Sequence, residues 1–104
     1  MDFQSDQPPS HLSEDAQAIW RGVIHRAQSP GRRVFVLQAL EAWDRADQAR
    51  RQIASEGLTT TTKSTGVVHV HPLVKVERDN RALFARLWKK LAFHFDPQVD
   101  GRTF

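Results

Sequence analysis

The sequence predicts a mainly α fold of three helices, with a long central helix and a small β-hairpin between helices two and three, assembling into an oligomer. Three observations carry that prediction. Apolar residues recur at helical spacing in three separate stretches. Breakers at Ser29-Pro30-Gly31 and at Gly57 divide the stretches from one another. Between the second and third lies "GLTTTTKSTGVVHVHP", two β-favouring runs around a polar loop.

The leader, residues 1–12, contains Pro8-Pro9 and polar residues and reads as a flexible acidic arm. Ser13 then has the chemistry of a helix N-cap, and Glu14 and Asp15 follow in the first turn, where carboxylates favour the helix dipole. Ala16, Ile19, Trp20, Val23, Ile24 and Ala27 define the buried face of this first helix. Ser29-Pro30-Gly31 ends it, and Arg32-Arg33 open the next.

The second helix is expected from about Arg33 to Glu56, with Gly57 as its C-terminal cap. Its inward stripe reads Phe35, Ala39, Ala42, Trp43, Ala46 and Ile53, and the three alanines let another helix approach closely. A helix this long overhangs the core of a 104-residue chain, which predicts packing against another copy.

The hairpin comes next. With Thr62 facing Val67, the strands Thr59–Thr62 and Val67–Val70 enclose the loop Lys63–Gly66. Thr60, Thr62, Val67 and His69 then share one side, while Thr59, Thr61, Val68 and Val70 share the other. Two strands alone are marginal in water, so the hairpin is expected to lie on the helices or to pair with a neighbouring subunit. The same stretch nearly spells a phosphate-binding loop. However, Thr62 stands where glycine must let the backbone wrap phosphate, and a strand rather than a helix follows Ser64. It is not a P-loop.

The third helix is expected from Pro72 to about His94. At 100° per residue, Leu73, Val76, Leu83, Phe84, Leu87, Trp88 and Leu91 fall on one side. Lys75, Arg78, Arg86, Lys89 and Lys90 fall opposite. Asn80 sits within the apolar side, as either a register-fixing amide between subunits or a satisfied core amide.

Charge and composition restrict the function. Residues 1–15 carry four acids and no Lys or Arg, leaving fifteen basic side chains against eight acids in the rest, a net of +7. Such a body is suited to meeting a polyanion. Without cysteine there is neither a disulfide nor a thiolate metal site. The start "MDFQSDQPPS" lacks the apolar run of a signal peptide, and no stretch reaches a membrane span, so a soluble cytoplasmic protein is expected. His69-x-His71 has no evident third ligand, and no nucleophile motif or carboxylate cluster stands out. The expectation is no enzyme activity, no cofactor and no metal.

The phrases "LSEDAQAIW", "ALEAWDRADQARRQIASEGL" leading into the Thr-rich hairpin that ends in His71-Pro72, and "LVKVERDNRALF" span about Leu12 to Leu91 in one order. Together they resemble the phage terminase small subunit family, in the branch of long-tailed phages, prophages and gene transfer agents. The resemblance implies a ring-shaped homo-oligomer in the bacterial host cytoplasm. Such a ring binds double-stranded DNA when packaging begins and regulates a large subunit holding the ATPase and nuclease. On that reading residues 13–95 form the oligomerisation and DNA-binding domain. Arg32, Arg33, Lys63, Lys75, Arg78, Arg86, Lys89 and Lys90 are the expected DNA contacts. Phe35, Ala39, Trp43, Ala46, Asn80, Leu83 and Leu87 are the expected subunit contacts. The tail, residues 96–104, together with Phe95 and Phe104, would dock the large subunit. The alternative is a helix-turn-helix-like transcriptional regulator, using helix one, "QSPGR" and helix two.

Overall fold

The computed structural model describes residues 6–57, 59–61 and 66–93. Lys63, Phe95 and Phe104 therefore lie outside the described residues. The chain is mainly helical: α1 spans Glu14–Val23, a 3₁₀ turn covers Ile24–Arg26, α2 spans Pro30–Glu56 and α3 spans Leu73–Leu91. Two short strands, β1 (Thr59–Thr61) and β2 (Val68–Val70), pair antiparallel between α2 and α3.

Ser13 caps α1 as expected, its hydroxyl accepting from the Ala16 N–H at 3.1 Å. The start of α2 differs from expectation: the helix begins at Pro30, not near Arg33. Ser29 is the cap, its Oγ accepting from the Arg32 N–H at 3.2 Å. Proline is suited to the first helical position because its missing N–H would have no partner there. "Ser-Pro-Gly" here is thus a start signal. At the far end Gly57 adopts φ 93°, and its N–H closes the helix on the Ile53 carbonyl at 2.7 Å. That backbone region suits glycine because it has no Cβ.

α3 runs antiparallel along α2, as three cross-links between them require: Glu56 with His71, Arg45 with Asn80, and Arg32 with the Leu91 carbonyl. Ala39, Ala42, Ala46 and Ala49 are buried on α2, where small side chains let the two backbones approach. The main core lies at one end of this pair. There Leu12, Ala16, Trp20, Ile24 and Ala27 pack on Val36, Leu40, Leu91 and Phe93. Val36 and Leu40 point inward, whereas Phe35, expected on the inward stripe, is 39% exposed. α1 covers α2 beside α3, so the buried sector of α2 is broader than one stripe and turned towards α1.

Residues 6–12 are also part of this packing. Leu12 is buried, and the Trp20 indole N–H donates to the Asp6 carbonyl at 2.9 Å. The Arg33 guanidinium meets the Asp6 carboxylate at 2.8 Å. Leu12 and Trp20 share one apolar core, which brings this segment against the helices.

The strand register is Thr59 with Val70, Thr60 with His69 and Thr61 with Val68, as Thr62 facing Val67 requires. Val67, Val68 and Val70 are 49%, 62% and 63% exposed, so the described helices do not bury the hairpin valines.

Candidate nucleic-acid interface

The side of α3 turned away from α2 carries Lys75, Arg78, Arg86, Lys89 and Lys90, all exposed. Helical periodicity aligns them, and burial of Leu87 and Leu91 on the opposite side fixes which way the row faces. From Lys75 to Lys90 the rise is about 22 Å, enough to lie along several phosphates of a duplex. Arg78 has a loose contact with Asp79, 3.7 Å between two well-exposed groups. Such a pairing contributes little and yields easily to a phosphate.

Arg32 and Arg33 are placed differently. Arg32 donates to the Leu91 carbonyl at 2.7 Å and lies 5.8 Å from the Phe93 ring centroid. Arg26 joins it, donating to the Phe93 carbonyl at 3.1 Å with its guanidinium 4.7 Å from the same ring. Two arginines thus satisfy carbonyls at and just beyond the C-terminal end of α3, where positive charge also suits the dipole. Arg33 bonds the Ala27 carbonyl at 3.0 Å and the Asp6 carboxylate. Both arginines are engaged inside the chain and stand apart from the α3 row.

The residues assigned to subunit contacts divide in the same way. Ala39, Ala46 and Leu87 are buried within the chain by α2–α3 packing, and so are already covered. Phe35 is exposed, while Trp43, Asn80 and Leu83 are half-buried. The Asn80 amide is satisfied within the chain, accepting from Arg45 Nε at 3.0 Å and donating to the Val76 carbonyl at 2.8 Å.

Two polar side chains that the sequence reading did not single out as partners organise the framework. Asp44, at the edge of burial on α2, accepts from the Ser13 N–H at 2.9 Å and from the Ser13 hydroxyl at 2.5 Å. An acid beside Leu40 and Trp43 on a buried sector was the available signal. His71 is 5% exposed and accepts through Nδ1 from the Leu73 N–H at 3.1 Å. It thus takes up the first backbone N–H of α3, whose N-cap position is Pro72, as well as packing before Pro72. Among the described residues, no group of three His, Cys, Asp or Glu side chains is placed to hold a metal ion. Among the same residues, no helix is long and apolar enough to cross a membrane.

Comparison with family models, with curated proteins and with solved structures returned no match to this chain.

Proposed function

We propose that the chain is a small terminase subunit of the phage or gene-transfer-agent type. It is a non-catalytic protein that assembles into a homo-oligomeric ring, engages double-stranded DNA as packaging begins, and regulates a large subunit in the bacterial cytoplasm. The observation that carries this reading is the exposed basic row on α3, opposite the face packed on α2. Repeating the row around a ring multiplies contacts that are individually weak. Among the described residues, α2 and α3 pack as a pair beyond the α1 core, and Val68 and Val70 of the hairpin are well exposed. Both features support assembly, since further copies would bury that surface. The regulator alternative uses the first turn of α2 as its reading head, yet Arg32 and Arg33 there are engaged within the chain.

The test joins native mass with a salt-titrated DNA mobility shift. A discrete species of about eight to ten copies is expected, with binding that falls steeply as salt rises. A monomer or dimer, or a binding curve insensitive to salt, would count against the reading.

A further inference from the structure

Beside the α2–α3 seam, on a different side of α3 from the basic row, lies a groove of about 340 Å³ lined by Trp43, Ala46, Asp47, Arg50, Arg81 and Phe84. Buried Ala46 leaves the space, and the two half-buried aromatic side chains supply apolar walls. The charges are layered. Asp47 bonds Arg50 at 2.8 Å, and Glu77 bonds Arg81 at 2.7 Å. The carboxylates are the covered partners, at 18% and 23% exposure, while the guanidiniums stand out at 52% and 57%. The rim therefore presents positive charge around an apolar hollow.

We infer that this groove docks a protein partner through an aromatic or large aliphatic side chain flanked by carboxylates, in a short acidic peptide segment. The hollow is of a size for one such side chain, and the two outward guanidiniums match carboxylates on either side of it. Arg50 and Arg81 would meet phosphates as readily as carboxylates, so it is the hollow between them, walled by Trp43 and Phe84, that favours a peptide side chain, and a nucleic acid is an outcome of the test. The site is separate from the basic row, so it can succeed or fail independently of the DNA reading.

The test is fluorescence anisotropy of the full chain with a labelled Glu-Asp-Phe-Leu-Glu-Asp peptide, and with a control in which lysine replaces each acid. Saturable binding of the acidic peptide alone is expected, weakened at least about tenfold by Arg50→Glu with Arg81→Glu. Lys89→Glu with Lys90→Glu should leave the peptide Kd within about twofold while weakening DNA binding. Circular dichroism confirms that each variant keeps its helices, and an unfolded double variant is replaced by Arg81→Gln alone, where a threefold loss is expected. No binding of the acidic peptide, equal binding of the lysine control, or indifference to the Arg50 and Arg81 changes would each overturn the proposal. So would an oligonucleotide that displaces the peptide and loses its own binding in the Arg50/Arg81 variant, since it would make the groove a nucleic-acid site.

Discussion

His71 Nε2 lies 3.5 Å from Glu56 Oε1, joining a residue two positions ahead of α3 to the last residue of α2. The other ring nitrogen accepts from the Leu73 N–H, which places the proton on Nε2, facing the carboxylate. One buried imidazole thereby spans both ends of the hairpin. His71→Ala leaves the Leu73 N–H without its acceptor and should destabilise the chain by about 1–2 kcal/mol. His71→Asn places an amide oxygen near the position of Nδ1 and should recover part of that. Urea denaturation measures both, and equal losses in the two variants would argue against a role for this hydrogen bond.

Asp44, midway along α2, and Ser13, the cap of α1, form a second link between distant segments. Asp44→Ala leaves two Ser13 donors without their acceptor and should cost about 1–3 kcal/mol. Asp44→Asn retains one acceptor oxygen and should cost less. Thermal unfolding of the two variants checks the order.

Asp47 gives a pH dependence with a definite sign. The Arg50 hydrogen bond, with charge from Arg51 and Arg50, holds its carboxyl below the ordinary value, although partial burial works the other way. A depressed native pKa contributes stability that is fully present above the unfolded value, about pH 4, and is lost as pH falls through the native value. Asp47→Asn should therefore flatten part of the stability loss below about pH 4 and change the slope little between pH 5 and 8. Acid titration of the unfolding midpoint reads this directly.

Arg32 and the pair Lys89–Lys90 should separate stability from DNA binding. Arg32→Ala removes the bond to the Leu91 carbonyl and a contact on Phe93. A loss of about 1–2 kcal/mol in stability is expected, with DNA affinity nearly unchanged. Lys89→Glu with Lys90→Glu should do the reverse and reduce the salt slope of binding by about two for each subunit on DNA. Finding the two effects exchanged would reassign the DNA-binding surface.

Ala92 ends α3 in the left-handed region at φ 61°, its N–H bonded to the Lys89 carbonyl at 3.1 Å. An L side chain there is strained by about 1 kcal/mol, part of which glycine returns to the flexible unfolded chain. Ala92→Gly should raise stability by about 0.5 kcal/mol at most in the same denaturation assay.

Local chemistry made much of this fold legible. The Ser13 cap, the Gly57 stop, the buried face of α1, the strand register and the two sides of α3 follow from short-range rules of periodicity and backbone preference. These features depend on residues within a turn or two of each other, so the sequence determined them by itself. Tertiary structure decided the rest, because its causes lie far apart along the chain. Ser29-Pro30-Gly31 could end one helix or start the next, and the Ser29 cap made it a start. Nothing local to Arg32 and Arg33 shows that they meet the Leu91 carbonyl and Asp6, 59 and 27 residues away. The inward turn of Val36 and Leu40 likewise required α1 to lie beside α3. A side chain's local pattern sets the face it occupies, but only the packing of distant segments decides whether that face meets protein or water.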